Sequence, residues 1–297
     1  MRYRVRHTTT YAYSNAVSVC HNQLHLCPRQ CPHQACTFHE LLVFPEAALV
    51  SRSTDYYGNP VTFFTLQEPH QALTMTANSV VEVAAVEVEA PAVAASPAWE
   101  DVRDAVRGDR SPDGLEAYQF VFDSPYVVAG GDLLAYAAPS FTARRPLLEA
   151  VWDLTERIHA EFTYDPGATA VNTPLDEVMR HRRGVCQDFA HLQIGCLRSL
   201  GLPVRYVSGY LVTQSTGPDA LVGADASHAW LSVYCPGLGW TDVDPTNNLW
   251  PSDRHVTVAV GRDYGDVSPI KGVFLGGGDH TMEVVVDVTP VPAWENA

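Results

Sequence analysis

Arg183-Gly184-Val185-Cys186-Gln187-Asp188-Phe189-Ala190-His191-Leu192 places one cysteine on the first turn of an expected helix. Phe189, Leu192, Cys196 and Leu200 continue that helix as a buried stripe, and Gly201-Leu202-Pro203 ends it. Further on come Ser227-His228-Ala229-Trp230 and Trp240-Thr241-Asp242-Val243-Asp244-Pro245-Thr246-Asn247, both strand-like. A cysteine on a helix, then a histidine and an aspartate on strands, is the order of a nucleophile, its base and the group that orients the base. Each block is weak alone. The three together specify an α+β fold in which a nucleophile at a helix N-terminus packs on an antiparallel sheet.

A thiol at a helix start feels the partial positive charge of backbone N–H groups, which favours thiolate. Arg182 and Arg183 add to that field, and the same N–H groups can hold a developing oxyanion. The competing reading of Cys186 is a buried structural thiol. That reading suits Cys196, which lies in the apolar stripe. Cys235-Pro236-Gly237-Leu238-Gly239 reads as a hairpin connection. If Tyr234 faces Trp240 across it, Asp244 falls opposite Trp230, on the same sheet face as His228 and diagonal to it. Diagonal neighbours lie roughly 7–8 Å apart, within reach of a His–Asp hydrogen bond. A loop of even length would put the two on opposite faces, so the triad requires an odd loop or a bulge. Asp244 before Pro245 also fits a plain turn former.

Residues 1–90 read as an N-terminal β domain, antiparallel and sandwich-like, with strands near 8–13, 41–44, 61–66 and 80–88. Asp55-Tyr56-Tyr57-Gly58-Asn59-Pro60 is a turn. Residues 91–145 form a linker with short helices near 99–107 and 130–138. The catalytic core is expected over 146–297. It begins with a helix carrying Leu147, Val151, Leu154 and Ile158 on one stripe, followed by a second helix capped by Thr173 with Pro174 at its first position. Strands follow from Val204 to the end.

The chain has 297 residues, 46% hydrophobic and 18% charged, which describes a globular protein. Its net charge of −15 argues against nucleic acid and anionic membrane as partners. The apolar runs are too short for a membrane helix. The N-terminal Met1-Arg2-Tyr3-Arg4-Val5-Arg6-His7 alternates like a strand rather than a signal peptide, so a cytoplasmic location is expected. Seven cysteines without a secretory signal do not suggest a disulfide framework. Cys20, His21, His25, Cys27, Cys31, His33, Cys36 and His39 form a dense stretch that invites a zinc reading, but no paired Cys-x2-Cys knuckle is present. Gly276-Gly277-Gly278 lacks the lysine and helix of a phosphate cradle. Asp263, Asp266 and Asp279 are too scattered for calcium. No metal or cofactor is expected.

Gly184-Val185-Cys186-Gln187-Asp188-Phe189-Ala190, Leu200 to Tyr210, His228-Ala229-Trp230 and Asp244-Pro245-Thr246 together resemble the transglutaminase-like superfamily, a branch of the papain-like cysteine enzymes. Tyr3 to Tyr13, Leu26-Cys27-Pro28-Arg29 and Tyr57-Gly58-Asn59 resemble the N-terminal β domain that bacterial members carry. The resemblance implies a papain-like core with Cys186 as nucleophile, His228 as base and Asp244 as the acid behind it. It does not fix the reaction, because members include protein cross-linkers, proteases, amidases and inactive scaffolds. The cysteine-rich stretch departs from the family pattern, and no calcium loop is evident.

These readings converge on a thiol enzyme that opens amide bonds of a peptide or protein through a thioester, by hydrolysis. Acyl transfer to an amine and a non-catalytic peptide-binding scaffold are the rivals. Tyr164 is a candidate second oxyanion donor, ahead of Trp152 and Gln187. Trp230 and Tyr210 are candidates to line a substrate cleft. Asp188 and His191 sit on the nucleophile helix but face away from Cys186 and are assigned supporting roles. The oligomeric state is left open.

Overall fold

Arg2, Arg4 and Arg6 point outward while Tyr3, Val5, His7 and Thr9 are buried, the two-residue period of a strand with one covered face. This alternation opens β1 (Arg2–Leu24), around which the N-terminal sheet is built. The computed structural model describes residues 1–212, 221–223 and 226–292. The N-terminal half of β1 pairs with β5 (His70–Val83) and β13 (His280–Pro290). Its C-terminal half pairs with β4 (Pro60–Leu66) and β12 (Ile270–Gly276). Register with β5 lapses between Ala12 and Val17, where the strand passes from one set of partners to the other. β2 (Gln34–Phe44) flanks β5, and β3 (Leu49–Thr54) flanks β4. The result is one seven-stranded antiparallel sheet curled about β1, in place of the two separate layers of a sandwich. Tyr13, Val17, Leu24, Phe64, Leu66 and Met75 fill the curl.

Two of those strands, β12 and β13, come from the far end of the chain. The expected division of 146–297 as one unit is corrected by this pairing, since residues 270–290 complete the N-terminal sheet. Sequence alone hides such a return, because a strand's pattern reports its exposed and buried faces but not its neighbour.

The linker folds into α1 (Ala90–Ala94), α2 (Trp99–Gly108), α3 (Pro112–Tyr118) and α4 (Gly131–Ala137), with the second and fourth where expected. α5 (Leu147–Glu161) buries Leu147, Val151, Leu154 and Ile158, the stripe read from the sequence. The short β6 (Thr163–Tyr164) and β7 (Arg183–Gly184) pair in parallel on either side of α6 (Leu175–His181). Thr173 does not cap α6. Pro174 takes the cap position, and the Thr173 hydroxyl accepts from the Ala170 amide instead.

α7 (Cys186–Ser199) is buried at every position from Cys186 to Arg198, as suits a helix enclosed on all sides. Its polar residues survive there because each finds partners. Gln193 donates to Thr155 Oγ1 at 2.7 Å, and Arg198 donates to the carbonyls of Phe120, Val204 and Arg262. α7 packs on the antiparallel sheet β10-β9-β8-β11, formed by β8 (Val204–Leu211), β9 (His228–Cys235), β10 (Gly239–Val243) and β11 (His255–Gly261). α8 (Tyr264–Val267) follows β11. Among the described residues no helix is long and apolar enough to cross a membrane.

β11 is an edge strand, and its outward backbone groups need partners. The N-terminal domain supplies them. Gln34 Oε1 accepts from the Thr257 amide at 2.8 Å, and Gln34 Nε2 donates to the Thr257 carbonyl at 2.7 Å. Asn59 does the same for Val260, accepting from its amide and donating to its carbonyl, each at 2.8 Å. Residues three apart point the same way only because a bulge between Thr257 and Ala259 inserts one residue. Arg29 ties the two anchors together: its guanidinium donates to Asn59 Oδ1 at 2.7 Å and to the Tyr57 carbonyl at 2.8 Å, and its own carbonyl accepts from Gln34 Nε2 at 2.7 Å. Gly58 has φ +76°, and a Cβ there would lie 3.2 Å from the Arg29 guanidinium. Asn59→Ala should therefore cost about 3 kcal/mol, because two buried backbone groups lose their partners. Urea denaturation checks this, and a loss under about 0.5 kcal/mol, the size of an ordinary surface substitution, would contradict it.

Candidate active site

The three blocks meet. β9 and β10 pair with Cys235 opposite Gly239 and Tyr234 opposite Trp240, so the connection has the odd length that the triad requires. A bridge from Asp244 to Leu249 closes the turn after β10. His228 Nε2 donates to Asp244 Oδ2 at 2.8 Å, with both side chains fully buried. Cys186 stands at the first position of α7, and its charge acts on the same imidazole. Nε2 is committed to Asp244, which leaves Nδ1 as the nitrogen for the thiol. Nδ1 forms no closed hydrogen bond in this resting arrangement.

Asp188 caps α7 from within, its Oδ2 accepting from the Val185 amide at 2.8 Å and from Thr169 Oγ1 at 2.6 Å. Burial raises its carboxyl pKa, and those two donors oppose the rise. His191 lies one turn further on, accepts from the Tyr264 amide at 3.1 Å and is pushed down to about 3 by burial, so it is neutral.

Asp244 is the most heavily hydrogen-bonded group of the site. Its Oδ1 accepts from the amides of Thr246 and Asn247 at 2.9 and 3.2 Å. Its Oδ2 accepts from His228, from Asn247 Nδ2 at 2.8 Å and from His255 Nε2 at 3.2 Å. Burial alone would raise this carboxyl, but His228 and His255 together hold it far below the usual carboxylate range. Burial also pushes His228 down, yet the charges of Asp244 and Cys186 outweigh it and carry the imidazole up to about 10. His255 moves the other way, below its ordinary value, because burial dominates there.

His255 and Asn247 were not singled out in the sequence. Asn247 had a signal in its place three residues after Asp244. His255 had none, since it reaches Asp244 only through the strand order of the sheet. Gly209 of β8 lies between the strands of His228 and His255, and a Cβ there would come within 2.2 Å of the Val256 carbonyl and 2.4 Å of the Trp230 ring. A glycine is therefore required where the imidazoles converge. The donor atoms of His228, Asp244 and His255 lie within 4.8 Å of one another, close enough for a metal ion. Each imidazole directs Nε2 at the same carboxylate oxygen, however, so hydrogen bonding already accounts for the arrangement. Among the described residues the Cys/His stretch of 20–39 gathers no group of three metal ligands. Its residues serve elsewhere: His25 bonds Asp55 Oδ2 at 3.2 Å, and the loop carrying Cys31 docks on β11.

Tyr164 pairs with Gly184, two positions before the nucleophile. A Cβ placed on Gly223 would lie 3.6 Å from its hydroxyl and 3.1 Å from His228 Nδ1, so the phenol lies on the reactive side of the imidazole. Trp152 stacks on Trp250 at 5.0 Å, and Gln187 donates to the Val171 carbonyl at 2.9 Å; both are engaged in packing. Trp230 and Tyr210 do not line an open cleft. Trp230 is wholly buried, lies nearly parallel to the His228 ring and donates to Asp242 Oδ2 at 2.9 Å. Tyr210 bonds His7 Nδ1 at 3.0 Å across the domain boundary. The two side chains point to opposite faces of the sheet: Trp230, opposite Val207, clusters with Val207, Val260 and Tyr57, while Tyr210, three residues on from Val207, joins Tyr3 and Val5 in the main core.

The His228 shift has a thermodynamic consequence. A histidine raised from 6.5 to about 10 contributes stability that is complete below pH 6.5 and is lost as pH climbs through 10. The stability margin of the native protein over His228→Asn should shrink steadily across that window. Thermal melts at half-unit pH steps test this, and a margin independent of pH would contradict it.

Comparison with known proteins places this geometry. Residues 3–82 match the bacterial transglutaminase-like N-terminal region, and residues 135–245 match the transglutaminase-like superfamily. An uncharacterised protein of Mycobacterium tuberculosis is 40% identical over 299 residues, spanning 97% of this chain and 93% of its own. A protein-glutamine gamma-glutamyltransferase of Pseudomonas aeruginosa is 34% identical over 92 residues, 30% of this chain and 14% of that protein. The solved structure of a "putative cysteine protease" from Cytophaga hutchinsonii superposes with a TM-score of 0.75 at 22% identity, covering 97% of this chain and 90% of that one. That likeness extends the shared fold across both domains. With its curled N-terminal sheet and its cysteine-bearing helix packed on a second sheet, the chain belongs to the transglutaminase-like superfamily.

Proposed function

We propose that this protein is a cysteine-dependent enzyme with a papain-like core, which hydrolyses amide bonds in a peptide or protein through a thioester. What supports the reading is the setting of His228, whose Nε2 is held by a buried carboxylate while its Nδ1 stays unpaired and the charge of Cys186, at the start of α7, acts on the ring. Cys186 Sγ attacks the carbonyl carbon and the C=O π pair moves onto oxygen. The oxyanion is held by amides at the start of α7, which have no intrahelical partners, and by the Tyr164 hydroxyl. His228 passes the thiol proton from Nδ1 to the departing amine as the C–N bond breaks. Water then attacks the thioester, giving its proton to Nδ1, and the thiol leaves. Asp244 accepts no proton in this cycle; it holds one tautomer and stabilises the imidazolium.

A second reading, transfer of the acyl group to an amine in place of water, is favoured by the similarity to the Pseudomonas glutamyltransferase over 92 residues. Mass analysis of peptide products with and without an added primary amine separates the two. Hydrolysis predicts free carboxylates or new termini whose yield is unchanged by amine, and transfer predicts an amine adduct. Both require Cys186, so Cys186→Ala should lower turnover by at least about 10³-fold. Retained turnover in that variant would overturn the proposal in either form.

A further inference from the structure

We propose that His255 is a positioning residue of this site, fixing the Asp244 carboxylate and through it the His228 imidazole. The inference rests on the triad reading above and extends it beyond residues 135–245, the stretch that carries the superfamily match. The geometry is direct. His255 Nε2 lies 3.2 Å from Asp244 Oδ2, the oxygen that accepts His228 Nε2 at 2.8 Å. Asp244 is wholly buried and His255 is 3% exposed, so neither can turn to water for a partner.

Charge explains why a second histidine suits this place. A cation beside Asp244 would share the carboxylate's charge and loosen its hold on the His228 imidazolium. The groups acting on His255 are Asp244, His228 and Asp242; with burial they leave it below its ordinary histidine value, a neutral donor. A neutral imidazole giving its Nε2 proton to Asp244 fixes the oxygen without competing for it. The ring is itself held, edge-on to Trp230 at a centroid distance of 5.2 Å. Its strand is pinned by Gln34 at Thr257 and by Asn59 at Val260. The N-terminal domain thereby acquires a role at the site, setting the depth of the strand that supports the triad.

The test is the rate of Cys186 alkylation by iodoacetamide against pH, read by peptide mass mapping on the full chain, in wild type, His228→Ala, His255→Leu and His255→Gln. Leucine fills the space without a donor, whereas the glutamine amide reaches the position of Nε2 and can donate to Asp244. His255→Leu should label roughly tenfold more slowly at neutral pH, because the imidazole loses its aim. Its acid-side midpoint should move up by about half a unit or more, because an Asp244 with one donor fewer takes up a proton more readily. His255→Gln should stay within about threefold of wild type. A His255→Leu profile that superimposes on wild type, or equal impairment of the two variants, overturns the assignment. A wild type no faster than His228→Ala overturns the triad reading beneath it, which is a separate result. If His255→Leu does not fold, nitrogen NMR of histidine-labelled native protein decides: a neutral Nε2–H tautomer at His255 from pH 5 to 8 is expected, and an Nδ1–H form or a cation contradicts the assignment.

Discussion

Asp244 is a carboxylate held out of water, and an ion in that position is tolerated only where other groups replace its hydration. Here five donors do so: two backbone amides, one side-chain amide and two imidazoles. Much of the surrounding structure follows from that requirement. The turn after β10 must fold back to supply the amides of Thr246 and Asn247. β8 must carry glycine at position 209 so that Trp230 can pass over it beside the imidazoles of the flanking strands. β9 must be in the one register that turns His228 toward the same oxygen.

A second constraint comes from the edge of the sheet that carries His228. β11 ends the sheet and would expose backbone donors and acceptors if left bare. The N-terminal domain covers it with side-chain amides in place of another strand. Gln34 and Asn59 each offer a carbonyl and an NH2 group, so one residue satisfies both backbone groups of the strand at its level. The closing strands β12 and β13 run back to β1, so the first and last parts of the chain lie in one sheet. The two domains are thereby joined through buried polar contacts, among them Tyr210 to His7.

The local parts of this architecture were legible in the sequence. Cys186 at a helix start, the hairpin before Trp240 and the α5 stripe each follow from spacing within a short window. The odd length of the hairpin connection was needed to bring His228 and Asp244 to one face, and the observed pairing of Tyr234 with Trp240 has it. What the sequence hid is non-local. His255 joins Asp244 through strand order, β12 and β13 cross to the other sheet, and Trp230 and Tyr210 are covered by a domain that their own strands cannot report. Even the cysteine-rich stretch owes its place to contacts more than two hundred residues away, where Gln34 meets Thr257.

The protonation of His228 tests the account most directly. Nitrogen NMR of the histidine-labelled protein, titrated from pH 5 to 11, should show an imidazole charged well past neutrality and titrating near 10, with its Nε2 proton shifted downfield by Asp244. Cys186→Ala should lower that value, because the thiol's charge is one of its causes. A His228 that titrates near 6.5 whether or not Cys186 is present would mean that the three residues share a location without acting as a unit.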